Sequence, residues 1–74
     1  MNAQIKLNSP NEVRDFVDEA SKCDFDIDIF YNHLVVDAKS LLGVLSMDLT
    51  KVLSVACQGH DNHFESVLEK YTIA

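Results

Sequence analysis

Two stretches of this chain carry the same apolar spacing. Val13, Phe16, Val17 and Ala20 fall at i, i+3, i+4 and i+7, and so do Phe64, Val67, Leu68 and Tyr71. Each set marks one face of an amphipathic helix. A single apolar face has to be buried against another element. Elsewhere apolar residues alternate with polar ones, the period-two pattern of strands with one buried face. A chain of 74 residues has room for one core only. One-faced helices and one-faced strands sharing one core leave few arrangements, and helices packed on one side of a sheet is the simplest.

The elements follow in order. Residues 3–8 alternate and predict a strand. Ser9-Pro10-Asn11-Glu12 reads as a helix start: Ser9 caps the first amides, Pro10 suits the first helical position, and Glu12 completes a capping box. The spacing behind it predicts a helix over 10–21. In 24–29, Phe25, Ile27 and Ile29 alternate with Asp24, Asp26 and Asp28, which predicts a strand with a buried face and an acidic one. Asn32-His33 is a turn signal. Leu34, Val36 and Ala38 alternate with Val35 and Asp37, completing a hairpin. Ser40 to Met47 predicts a short apolar helix with Ser40 as its cap. Its apolar residues exceed one stripe, so Val44 and one leucine are expected inside and the rest outside. Lys51 to Cys57 is a further β-rich run, broken by Gly59, and the last helix starts at His60 or Asp61. The order is β-α-β-β-α-β-α. The predicted fold class is α+β, a two-layer open-faced sandwich with antiparallel or mixed strands, forming one domain over residues 1–74.

Composition narrows the function classes. Six Lys and Arg against twelve Asp and Glu give a net charge of −6. Such a chain repels phosphate backbones and anionic membrane surfaces, so neither nucleic acid nor a membrane is an expected partner. Two cysteines, Cys23 and Cys57, make no disulfide framework, which fits a reducing compartment. The start Met1-Asn2-Ala3-Gln4 lacks the basic and apolar regions of a signal peptide, and no apolar run is long enough to span a bilayer. A cytoplasmic protein is the expectation. The small core leaves no room for a large enclosed pocket, so any site is expected on the surface.

The segment Lys39-Ser40-Leu41-Leu42-Gly43-Val44-Leu45-Ser46-Met47 resembles the regulatory-serine motif of Gram-positive HPr phosphocarriers, K-S-I-M-G-V-M-S-L. Lys39, Ser40, Gly43, Val44 and Ser46 are identical, and the other positions exchange one apolar residue for another. Phe16-Val17-Asp18-Glu19-Ala20 resembles the F-V-x-x-A segment of the same family, and Asn32 stands where the family has an N-G turn. The resemblance covers most of the chain. It implies the HPr fold and a place in, or beside, the bacterial sugar phosphotransferase system.

The departures from the family carry as much information. HPr proteins have G-x-H-x-R-P after the first strand. Its His accepts phosphate from the enzyme that uses phosphoenolpyruvate. Here Ser9-Pro10-Asn11-Glu12 leads straight into the helix, the loop is several residues shorter, and no His lies near it. Asp48 replaces a usual Gly after the serine segment, and the connection to the last strand is short. The resemblance thus implies the fold without histidine phosphotransfer, and hence no enzyme and no cofactor. A variant class in the family lacks the His, keeps the Ser and acts in catabolite repression.

The candidate site is accordingly regulatory. Ser40 is the expected phosphorylation site, since the resembling serine is modified by a dedicated kinase. A phosphate at a helix N-terminus gains from the dipole and free amides. As a plain N-cap, Ser40 is worth about 1 kcal/mol. Leu41, Leu42, Leu45 and Met47 are the expected partner-binding residues, because exposed apolar clusters mark interaction sites. The partner is expected to be a regulator, a kinase or a phosphotransferase component, with homodimerisation through the same residues as an alternative. His33, His60 and His63 read as surface side chains, with a relocated phosphoacceptor as the rival. His60 and His63, even with Cys23 or Cys57, fall short of the four ligands of a structural zinc site, so no metal is expected. The row Asp24, Asp26, Asp28 reads as a solvated sheet face.

Overall fold

The computed structural model describes residues 2–73. In chain order the elements are β1 (Asn2–Ile5), α1 (Pro10–Ser21), β2 (Ile27–Tyr31), β3 (Leu34–Asp37), α2 (Leu41–Leu45), β4 (Leu53–Cys57) and α3 (Asn62–Tyr71). The four strands form one sheet in the order β1-β4-β2-β3, and every neighbouring pair is antiparallel. The helices cover one side, giving the open-faced α+β sandwich.

The alternation along the strands decides which residues face the helices. Ile5, Ile27, Ile29, Leu53 and Val55 are each at most 1% exposed. They meet Val13, Phe16, Val17 and Ala20 of α1, Val44 of α2, and Phe64, Val67 and Leu68 of α3. Among the described residues no polar or charged side chain is fully buried. Phe16 and Phe64 join α1 to α3 with ring centroids 5.5 Å apart, and Tyr71 meets Phe16 edge-on at 6.3 Å. Polar contacts flank this seam. The Tyr71 hydroxyl donates to Asp15 Oδ2 at 2.7 Å, Lys70 Nζ lies 3.3 Å from the same oxygen, and His63 contacts Glu19.

Several predicted boundaries move, each for a local reason. α1 spans 10–21 as its spacing requires, with Ser9 Oγ accepting from Glu12 N–H at 3.2 Å. The Glu12 carboxylate, however, accepts from Asn8 N–H at 2.7 Å, one residue before the cap. β1 ends at Ile5 and not at residue 8, because Lys6 N–H turns to the Tyr71 carbonyl at 3.0 Å. β2 starts at Ile27, where β4 ends opposite it at Cys57. Asp24 and Asp26 therefore precede the strand, and the predicted row of three aspartates on one strand does not form. Phe25 instead folds over Gly59, where an added Cβ would lie 2.4 Å from the ring; this close approach requires glycine. The hairpin turn is Asn32-His33, with Asn32 at φ 55°, a left-handed conformation Asn tolerates. β4 begins at Leu53, since a turn anchored by Asp48 occupies the preceding residues: Thr50 N–H and hydroxyl both donate to Asp48 Oδ1.

Candidate functional site

Ser40 sits between β3 and α2. Its backbone is extended, and its Oγ accepts from Gly43 N–H at 3.2 Å, closing the first turn of α2. Its own N–H donates to the Asp37 carbonyl at 3.0 Å. Gly43 matters to this geometry, because a Cβ there would lie 3.1 Å from Ser40 Oγ and 3.5 Å from Val36 Cβ. Lys39 Nζ reaches away from the cap and donates to the Cys23 carbonyl at 2.8 Å, tying the start of α2 to the end of α1. The Asp37 carboxylate holds Lys39 N–H at 2.9 Å. Ser40 is half-buried.

α2 is only five residues long, and its apolar side chains divide between inside and outside. Val44 is fully buried and Leu41 packs partly on the core. Leu42 is 81% exposed and Leu45 40%. Met47 is 5% exposed, so it does not line the surface with them. The reason is the helix end: the Ser46 N–H donates to the Leu42 and Gly43 carbonyls and its hydroxyl donates to the Gly43 carbonyl at 2.6 Å, and Met47 N–H bonds back to the Val44 carbonyl at 3.1 Å, directing its side chain into the core. The outward apolar surface beside Ser40 is thus Leu42 and Leu45, with Leu41 at its edge.

The start of α1 borders an open cleft of about 440 Å³ lined by Lys6, Asn8, Ser9, Pro10, Asp48 and Thr50, among others. Pro10 has no N–H to offer an anion. The Glu12 carboxylate occupies the Asn8 amide, and Ser9 Oγ occupies the Glu12 amide. Lys6 Nζ is engaged by the Leu49 carbonyl at 3.0 Å and by Asn8 Oδ1 at 3.2 Å. The Thr50 hydroxyl and amide hold the Asp48 carboxyl below its ordinary range. At this cleft Lys6 Nζ, the Asn8 and Glu12 amides and both Thr50 donors are thus engaged, and the Asp48 carboxylate adds a negative charge.

The three histidines lie elsewhere and are exposed. His33 is in the β2–β3 turn. His60 Nδ1 is 2.7 Å from Glu65 Oε2, and His63 Nε2 contacts Glu19 Oε2. Glu19 stands nine residues beyond Pro10, roughly 14 Å along α1 at ~1.5 Å per residue. Glu19 also holds Lys22 at 2.8 Å; Lys22 first and His63 second keep its carboxyl below the usual range. Among the described residues no group of three or more His, Cys, Asp or Glu is placed to hold a metal ion. Cys23 and Cys57 are both buried, and burial raises both thiols above their ordinary pKa. The short α1–β2 connection folds Cys23 inward. No helix among the described residues is long and apolar enough to cross a membrane.

Sequence reasoning singled out Ser40 and the leucines but missed Lys39 and Gly43 as parts of the same geometry. Their signal was present: a glycine three residues after a capping serine sits where the cap approaches most closely.

No protein-family model matches the chain, and no curated protein matches it. Solved structures do. HPr-C-His from Thermoanaerobacter tengcongensis aligns over 95% of this chain and 88% of its own, with a TM-score of 0.77 and 20% identity. The phosphocarrier protein HPr from Bacillus anthracis aligns over 97% and 96%, with a TM-score of 0.72 and 20% identity. Crh, the catabolite-repression protein of Bacillus subtilis, which forms a swapped, intertwined dimer, aligns over 95% and 88%, with a TM-score of 0.65 and 18% identity. The fold is that of the HPr phosphocarriers.

Proposed function

We propose that this HPr-fold protein is a regulatory, protein-binding module of the cytoplasm that does not pass phosphate through a histidine and is not an enzyme. Its docking surface is Leu42 and Leu45 with Leu41 at the edge, and its switch is phosphorylation of Ser40. The observation that carries this reading is the juxtaposition of a capping hydroxyl with an exposed apolar pair on one short helix. A phosphate on Ser40 adds up to two negative charges beside that pair and beside Asp37. It thereby changes which partners the surface accepts without requiring a change of fold. The start of α1 supports the other half of the reading. A phosphoryl group there would face Asp48 and find the Asn8 amide already taken by the Glu12 carboxylate, and phosphoryl stabilisation needs unoccupied donors at the site. Similarity to Crh, a catabolite-repression protein, agrees with a role in regulating sugar use.

Incubation with an HPr kinase and ATP tests the switch. The expected result is one phosphate on Ser40 by mass spectrometry, absent in Ser40→Ala; an unmodified protein removes Ser40 from the mechanism. Incubation with the phosphoenolpyruvate-dependent enzyme and labelled substrate tests the rest. Acid-labile label on His60 or His63 would establish a relocated phosphocarrier and overturn the regulatory reading.

Self-association through the same leucines is the second reading, favoured by the exposure of Leu42 and by the dimer of Crh. Light scattering decides it: a dimer that becomes a monomer in Leu42→Asp supports it, and a monomeric wild type excludes it.

A further inference from the structure

The sheet has two edges, and one of them is covered. Along β1, Thr72 bridges Ile5, and Ile73 N–H donates to the Gln4 carbonyl at 3.2 Å. Along β3 no segment among the described residues does the same. The two-residue turn makes Tyr31 and Leu34 a hydrogen-bonded pair, so Ile29 and Val36 form the next one. The N–H and C=O of Val35 and the N–H of Asp37 therefore point away from β2. Edge strands are usually blunted by shortness, charge, proline or a bulge; β3 is short and ends in an aspartate, but it has no lysine or proline. β3 is Leu-Val-Val-Asp, with Leu34 48% and Val35 62% exposed.

Charge on the open side of the sheet narrows what fits this edge. Asp28 and Asp37 stand directly opposite each other, and Phe30 and Val35 are the next pair along. Like charges opposed across two strands are unfavourable. Among the described residues neither aspartate has an ion pair; the four that form involve Glu19, Asp15 and Glu65.

We propose that β3 is a docking edge for an extended cationic segment of another protein, which adds as a fifth strand. It would place an apolar side chain beside Val35 and a Lys or Arg beside Asp37, two residues apart on the same face. Main-chain bonds to Val35 and Asp37 hold the strand, and its cation relieves the Asp28–Asp37 opposition. A second copy of this chain fits less well. Self-pairing centred on Val35 sets Asp37 against the turn residue His33, supplies no Lys or Arg, and brings together two chains of net charge −6. Asp37 is shared with the start of α2, where its carboxylate accepts from Lys39 N–H at 2.9 Å and its carbonyl from Ser40 N–H; the edge itself rests on Val35 and the Asp28 pairing, and its failure would leave the Ser40 reading intact.

The test uses the full chain, labelled for amide NMR, and two blocked peptides, Lys-Thr-Val-Thr-Lys and Glu-Thr-Val-Thr-Glu. The lysine peptide is expected to shift the β3 amides and slow hydrogen exchange at Val35 and Asp37; the glutamate peptide is expected to do neither. Asp28→Asn with Asp37→Asn should weaken binding about five-fold, the scale of one cross-strand charge pair. Val35→Pro removes an outward donor while leaving the β2 ladder bonds, and should abolish binding. If that variant unfolds, the aspartate variant carries the test. Unmoved β3 amides at millimolar lysine peptide overturn the proposal. So do equal responses to both peptides, or β3 shifts that depend on protein concentration alone, which would assign the edge to a second copy.

Discussion

Under the proposed switch, Ser40 Oγ would have two uses that compete for one atom. It caps α2, and it is the group that a kinase would modify. Ser40→Ala should cost about 1 kcal/mol in urea unfolding, the ordinary value of an N-cap. Ser40→Asp should cost little, because Asp caps as well as Ser, and it brings one of the charges of a phosphate. A partner that responds to Ser40→Asp but not to Ser40→Ala is therefore reading charge and not helix stability, which calorimetric titration of the two variants separates. Capping was legible in the sequence because it depends on neighbours within four residues. Met47 was not, because its burial depends on where the chain leaves α2. An apolar residue at a helix end looks the same whether the next bond turns it in or out. Gly59 was visible as a strand breaker, but the Phe25 ring above it was not, since that contact joins distant loops.

At the scale of elements, the seam between α1 and α3 combines the Phe16–Phe64 contact with Tyr71–Asp15 toward one end and His63–Glu19 toward the other. Burial, and then the hydrogen bond to Asp15, push the Tyr71 phenol up to about 12. The same bond is the main cause that holds the Asp15 carboxyl below its ordinary value. The phenol donates only when protonated, so a raised folded-state pKa contributes stability fully below pH ~10, the unfolded value. That contribution is lost as pH rises from about 10 through 12. In a Tyr31→Phe background, tyrosinate absorbance should titrate late in the folded protein and near pH 10 in urea. Titration at the same pH in both would mean that the bond does not form. The helices of this seam were legible, as were α2 and the hairpin, because each has a periodicity or a turn of its own. Strand ends were not. They are set by where the partner strand stops, as at Ile27 opposite Cys57, and no single segment contains that information.

For the molecule as a whole, alternation in three runs and β-rich composition in the fourth identified four strands but gave no order among them, since each looks alike in isolation. The order was legible only through resemblance to a known family. The pairing that results places Asp28 beside Asp37, so a charge conflict at the sheet's open side arises from topology and not from any local run of acids. Together with a net charge of −6, it makes the folded state self-repelling. Raising sodium chloride from low ionic strength should therefore move the urea midpoint upward, whereas exposed ion pairs on the helices are individually worth little and lose little by screening. A midpoint that falls with salt would mean that those pairs dominate. The strand order has one more consequence, and it concerns synthesis. β4 lies between β1 and β2, so β1, made some fifty residues earlier, has no place in the sheet until β4 follows it. At roughly 5–20 residues per second, the nascent chain carries β1 unpaired for several seconds. Until then the hairpin and α1 can meet, but the place between β1 and β2 stays vacant, and the sheet closes only once β4 has been made.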